Sequence, residues 1–405
     1  MKKRSIIILG LFTVVLIFGV FLFNNKSNIE IKLLGETTIT IEVNSEFEDP
    51  GATAFIKQQD YSKDIKTESN LDTSKLGEYQ ITYTITKDNE TKTTTRIVNV
   101  IDNISPTIEL LGNQEVKLIV GDIYKDDGFI VKDNYDENLS GQVVISDTTN
   151  YQEVGVYQIT YTISDSSDNV ASITRKITIL PESEKNTSGL PILMYHFFYD
   201  ASLGETMKDN NWVEITTFES QMQYLSENGY YFPSWNEVVE FIDGQRNLPE
   251  KSIVITADDG NDSYLLKAIP ILDKYNIPST SFLVTSWSNT FVIETYSSPF
   301  VGFQSHSHDM HQSGRDGKGL FLTATYEEAL LDVTTSKELL GKSDVFCYPF
   351  GHYSDFTKQV LNDAGYSLAV TTEYGKTKQG MDHYQLPRIR ITGTDSLQSF
   401  ISKVS

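Results

Sequence analysis

One cysteine, Cys347, occurs in 405 residues, which excludes an intrachain disulfide and a zinc site built on thiolates. Basic residues are scarce too: 33 Lys and Arg stand against 55 Asp and Glu, a net charge of −22. Such a surface repels phosphate backbones, so no nucleic acid is expected as a partner. The N-terminus lacks the marks of a cleaved signal, since its apolar run exceeds the usual h-region, no small-x-small site follows it, and no cysteine is available for a lipid. What stands there is Lys2-Lys3-Arg4, then 18 residues from Ile6 to Phe23 interrupted only by Gly10, Thr13 and Gly19. That length predicts a single-pass membrane anchor. The basic tip predicts a cytoplasmic N-terminus, with all that follows outside the cell.

At this length and with 39% hydrophobic residues, two or three folded units are expected. Two segments after the anchor repeat each other. Ile31-Lys32-Leu33-Leu34-Gly35 matches Ile108-Glu109-Leu110-Leu111-Gly112, and GEYQITYTI from Gly77 matches GVYQITYTI from Gly155, at offsets of 77 and 78. Apolar and polar residues alternate within each unit, with turn clusters such as Asp126-Asp127-Gly128 between runs, which predicts small β-sandwiches. The acidic clusters at 133–137 and 165–168 fit either calcium ligation or acidic turns on a solvated surface. Pro181–Gly189 has the composition of a linker. From Leu190 onward short apolar strands alternate with amphipathic helices at 218–228, 263–275 and 325–341, the pattern of an α/β domain of barrel-like form.

In such a domain, chemistry gathers where parallel strands end. Four strand-like runs end in capable residues: 191–195 leads into His196, 252–257 into Asp258-Asp259, 300–305 into His306 through His311, and 345–348 into Pro349-Phe350-Gly351. Adjacent carboxylates with two nearby histidines supply a metal ligand set and a proton acceptor, so the residues themselves point to metal-assisted hydrolysis. Asp-Asp-Gly alone is more often a turn; the apolar strand before it and the helix after it set Asp258-Asp259 apart.

From Leu190 to Val404 the chain resembles the polysaccharide deacetylases of carbohydrate esterase family 4. TADDG, the His306–His311 pair and the opening strand PILMYH are similar to the circularly permuted poly-N-acetylglucosamine deacetylase branch. The resemblance implies Asp258 as catalytic base, His196 as general acid, Asp259, His306 and His311 as ligands of a divalent metal, zinc first among them, and the turn Tyr348-Pro349-Phe350 for the oxyanion and substrate, with the Phe350 N–H as donor. Residues 29–180 resemble tandem bacterial immunoglobulin-like modules. Ala257 and Asn261 depart from the family's aromatic positions, and its motif arginine is missing, leaving Arg388 or Arg390 to orient the base and Asp309 to orient an imidazole or cap a turn. His308 is expected outside the ligand set, His352 and His383 have no named partner, and Cys347 reads as a core residue. Trp287 is the tryptophan expected to meet sugar.

The expected plan is a basic tip and anchor over 1–28, Ig-like domains over 29–103 and 104–180, a linker over 181–189 and an irregular (β/α) barrel over 190–405. The implied activity is N-deacetylation of a cell-surface N-acetylglucosamine polymer, peptidoglycan slightly ahead of poly-N-acetylglucosamine. The alternative is an impaired deacetylase-like protein that binds glycan or builds the wall.

Overall fold

The computed structural model describes residues 28–287, 293, 295–296, 298–314, 317–341 and 343–405. The expected anchor at 6–23 lies outside them; among the described residues no helix is long and apolar enough to cross a membrane. Two compact units are present. The first takes the chain to Pro106 together with 133–137 and 165–169, and the second takes 107–132, 138–164 and 170–405.

The first unit is built on the hairpin of Gly77–Lys87 with Glu90–Ile101. Ile81, Tyr83 and Ile85 alternate into its core, and Asp88 and Asn89 turn the hairpin with positive φ, the conformation whose twist matches the paired strands. Thr38–Glu42 joins this sheet in parallel and Lys66–Ser69 antiparallel, while Ile29–Leu33 and Ala52–Ile56 belong to a second sheet. The second repeat uses the same order: Gly155–Ser164 pairs Val170–Leu180, flanked by Glu115–Ile119 and Val144–Asp147, and Thr107–Leu110 pairs Phe129–Lys132.

Each repeat also buries an arginine completely. Arg96 reaches Asp49 and the carbonyls of Leu34, Glu36 and Gly51, and Tyr83 donates to the same Asp49. Arg175 repeats the device with Asp126, the carbonyls of Leu111, Asn113 and Gly128, and Tyr161. A buried guanidinium costs several kcal/mol unless its donors are matched, so these positions tie together the loops that supply the acceptors. The Asp126-Asp127-Gly128 turn is therefore an anchor point as well as a bend.

In the second unit seven parallel strands close a barrel: Ile192–Tyr195, Val254–Ala257, Ser279–Leu283, Val301–Ser305, Val345–Cys347, Leu368–Tyr374 and Leu386–Arg390. Leu193 pairs with Ile389 to close the ring. The first two strands are buried at every position, as expected when both faces are covered. Helices Ile215–Glu227, Trp235–Ile242, Ile269–Tyr275 and Tyr326–Leu340 surround them; Ser234 and Thr325 cap two of these with reciprocal capping boxes. Pro181–Gly189 runs hydrogen-bonded beside 248–250, with Glu250 N donating to Glu184 O and Asn186 N to Leu248 O, both at 2.7 Å. Within this unit the second repeat also meets the barrel: Asp122 accepts from Asn247 N and Nδ2, and Arg246 donates to Lys117 O.

Candidate active site

The C-terminal strand ends bring His196, Asp258, Asp259, His306, His311, Tyr348, Phe350 and Arg390 to one cleft of about 330 Å³. Each of the first five follows directly on a barrel strand or its loop, so strand register sets their spacing.

Asp258 is buried and gripped by Arg388, whose two terminal nitrogens each donate to one carboxylate oxygen at 2.7 Å. Burial alone would raise the carboxyl, yet the guanidinium charge and its paired hydrogen bonds hold it well below the usual carboxylate range. Arg388 is itself fixed by Thr371 O and Thr256 Oγ1. Arg390 points to Asn211 at the cleft wall instead. Of the two arginines considered, Arg388 is the one that orients Asp258.

His306 and His311 both present Nε2 to the same oxygen of Asp259, each at 3.5 Å. His306 Nδ1 lies 2.7 Å from the Cys347 carbonyl, which fixes Nδ1 as the donor; against burial, Cys347 and Asp259 hold the ring's proton affinity well above the usual imidazole value, so an ion would ligate Nε2 by displacing its proton. Burial and the neighbouring His306 lower the proton affinity of His311, favouring the neutral imidazole a metal needs. The donor set of two imidazole nitrogens and a carboxylate, all within 4.8 Å of one another, fits a divalent ion such as zinc. A second grouping, Asp258, His306 and Cys347, is equally compact, but Arg388 already occupies both oxygens of Asp258 and burial raises the Cys347 thiol, so it does not fit a cation. Cys347 is a buried core residue whose Sγ lies 3.3 Å from Arg388.

His196 Nε2 lies 3.9 Å from Asp258 Oδ2, and burial lowers its proton affinity against the pull of Asp258. Its Nδ1 is buried without a partner. Asp259, Ser307 and Phe350 all take left-handed backbone, with φ of +75°, +74° and +61°. Such conformations cost about 1–3 kcal/mol each and persist where the surroundings hold them; here they occur at Asp259, in the histidine loop and in the turn after Pro349, all of which border the one cleft. Pro349 is buried, and Tyr348 is locked by its hydroxyl on Tyr384 O. The Phe350 ring packs 4.4 Å from that of His311, and exposed Trp287 packs 5.3 Å from it on an edge.

Asp309 accepts from Ser286 Oγ, and His308 Nδ1 pairs with Thr285 Oγ1. His352 accepts from Gly319 N and His383 pairs with Asp243. The residue sequence reasoning passed over is Asp332. From helix Tyr326–Leu340 its two oxygens accept the backbone N–H groups of His308 and Asp309, at 2.8 and 2.7 Å, pinning the histidine loop. Its signal in sequence, one acidic residue among several on an amphipathic helix, carries no mark of that role.

Residues 31–100 and 108–179 match the family described as bacterial surface protein, Ig-like domain, and residues 245–369 match polysaccharide deacetylase. The poly-beta-1,6-N-acetyl-D-glucosamine N-deacetylase of Staphylococcus epidermidis is 26% identical over 203 residues, covering 46% of this chain and 70% of that protein. The enzyme of the same name from Staphylococcus aureus MRSA252 is 27% identical over 225 residues, covering 51% and 77%. Among solved structures, the Streptococcus pyogenes deacetylase PplD in complex with acetate is similar at 24% identity and a TM-score of 0.47, covering 54% of this chain and 98% of that one. IcaB from Ammonifex degensii gives 25% identity, a TM-score of 0.47 and the same coverages.

Proposed function

We propose, for a chain that carries a polysaccharide deacetylase domain and is thus a hydrolase of amide bonds, that the reaction is metal-dependent N-deacetylation of a β-linked N-acetylglucosamine polymer outside the cell. The observation that carries this is the Asp258–Arg388 pair set beside the Asp259, His306 and His311 cluster in one cleft. Asp259, His306 and His311 would hold the ion, which when bound supplies Lewis-acid polarisation of the acetamide and a more acidic water.

The chain's own groups then divide the proton work. Held ionised by Arg388, Asp258 accepts a proton from the attacking water. His196, neutral at rest, stands 3.9 Å from Asp258 Oδ2; the proton that Asp258 takes from the water moves on to His196, and the imidazolium so formed gives it to the departing sugar amine. Phe350 offers its backbone N–H to the developing oxyanion. Trp287 and Phe350 flank the opening with apolar ring faces suited to sugar, and the acidic surface disfavours anionic polymers. The relatives' names favour a β-1,6-linked polymer over peptidoglycan. Membrane attachment through residues 6–23 belongs to this proposal and would keep the cleft on wall or matrix glycan.

The alternative of an impaired glycan-binding or structural wall protein rests on Ala257 and on the missing motif arginine; the Arg388 guanidinium on Asp258 speaks against the second ground. The deciding experiment measures acetate and free amine released from poly-N-acetylglucosamine, peptidoglycan and acetylated xylan, with and without chelator. Release from an N-acetylglucosamine polymer, abolished by chelator and lowered about 10²–10⁴-fold by Asp258→Asn or His196→Ala, is expected. Release confined to xylan overturns the substrate, and release unchanged by chelator overturns the metal.

A further inference from the structure

Far along the sequence from the deacetylase cleft, the first compact unit gathers three carboxylates, Asp102, Asp133 and Asp165, with ligand oxygens all within 4.8 Å of one another. Asp102 and Asp165 are buried, at 8% and 7% exposure, and Asp133 is half-buried. Among the described residues none of the three forms an ion pair with a lysine, arginine or histidine. Three like charges brought together and withdrawn from water repel one another strongly, and among the described residues only neutral hydrogen-bond donors face them.

The pattern of hydrogen bonds shows what the cluster lacks. One oxygen of Asp102 takes the Ile104 N–H and the Asn134 amide, and one oxygen of Asp133 takes the N–H groups of Tyr135 and Asp136. Both oxygens of Asp165 are engaged, by Ser167, Asn169 and the Asn169 amide. The remaining oxygens, Asp102 Oδ2 and Asp133 Oδ1, are buried with no partner, and so is Asn134 Oδ1. The unsatisfied atoms are all acceptors. A missing donor of neutral charge would answer one of them; a hard cation answers all three and the repulsion as well. Buried acceptors without partners are rare in folded proteins.

We propose that Asp102, Asp133 and Asp165, with the side-chain carbonyl of Asn134, form a calcium site. Calcium takes six to eight oxygen ligands in flexible geometry, whereas magnesium demands a strict octahedron and keeps its waters. Three carboxylates and an amide oxygen, drawn from three separate chain segments, supply the many protein oxygens that suit the larger ion. Asp133 and Asp165 lie in the second repeat of the sequence, on the two segments that join the first unit. The ion therefore fastens those segments to the end of the first repeat at Asp102.

The test is calorimetric titration of the chelator-stripped full chain with calcium chloride, alongside thermal melting. One calcium per chain is expected, with a dissociation constant between about 10⁻⁵ and 10⁻³ M, from the weak limit of sensor sites through extracellular modules. Saturating calcium should raise the lowest melting transition by at least about 5 °C. Asp133→Asn, at a half-buried position, should weaken binding tenfold or more and remove the shift, while Asp259→Asn in the barrel should leave both intact. The calcium response of the unaltered chain needs no variant, so a misfolded Asp102→Asn would not blunt the test. No binding at 10 mM calcium, binding lost in Asp259→Asn but kept in Asp133→Asn, or an equal response to magnesium would each overturn the assignment.

Discussion

The pairing of Asp258 with Arg388 sets a pH dependence whose sign can be worked out. Because the carboxyl is held below its unfolded value near 3.8, the pair contributes stability that is complete above pH 3.8 and fades as pH falls through the folded value. In Arg388→Met the burial remains without the counter-charge, the carboxyl is raised, and the sign reverses. Urea midpoints of the barrel transition from pH 3 to 7 should show the variant falling progressively behind the natural chain, by about 3–5 kcal/mol at pH 7. A constant gap across that range would show that Asp258 does not depend on Arg388 for its charge. The sequence could not choose between Arg388 and Arg390, because residues two apart share one face of a strand. Depth separates them: Arg388 is fully buried in the barrel, and Arg390 reaches the mouth. That His196, Asp258, Asp259, His306 and His311 would meet in one cleft was, by contrast, legible, since each follows an apolar strand at an abrupt change to polar residues.

At the level of elements, the loop carrying both histidines is held from outside itself. Asp332→Ala would leave the N–H groups of His308 and Asp309 without acceptors, a cost of about 1–3 kcal/mol for each group that stays dry. Loosening the loop should weaken metal affinity about 10–100-fold, as loss of an outer partner does at metal sites. Asp332→Asn, which keeps one acceptor oxygen, should fall between, and competition with a chromophoric chelator measures the series. Unchanged affinity in Asp332→Ala would mean the loop needs no support. The helix itself was legible from its spacing, over 325–341 in expectation and Tyr326–Leu340 in fact. The segment at 263–275 was read as one helix but opens with a π turn over Tyr264–Ala268 before Ile269–Tyr275. Pro270 has no N–H for the ordinary ladder there, a local detail that periodicity alone does not resolve.

For the whole molecule, repetition exposed the two Ig-like modules, because sandwich strands print their alternation directly on the sequence. The contacts of the second module with the barrel left no such trace, being polar and long-range. Asp122, Asn113, Arg246 and Glu237 make them: Asn113 donates to Glu237 Oε2 at 2.8 Å, and Glu237 pairs with Arg246 at 2.7 Å. Asp122→Ala should remove two hydrogen bonds to Asn247 and cost about 1–3 kcal/mol. Limited proteolysis should then cut within 181–189 faster, while turnover of a short soluble oligomer stays unchanged. Equal cleavage rates in the variant and the natural chain would mean that these bonds do not restrain the module.

Arg388 lies 130 residues after Asp258, on the strand that also closes the ring against the first. A ribosome that has released the Asp-Asp pair and both histidines has therefore still made no working centre. Until the seventh strand emerges, Asp258 lacks Arg388 and the barrel has a gap where Leu193 should meet Ile389. The cleft is completed only when that strand arrives, and a product broken off before it would hold Asp258 without its counter-charge.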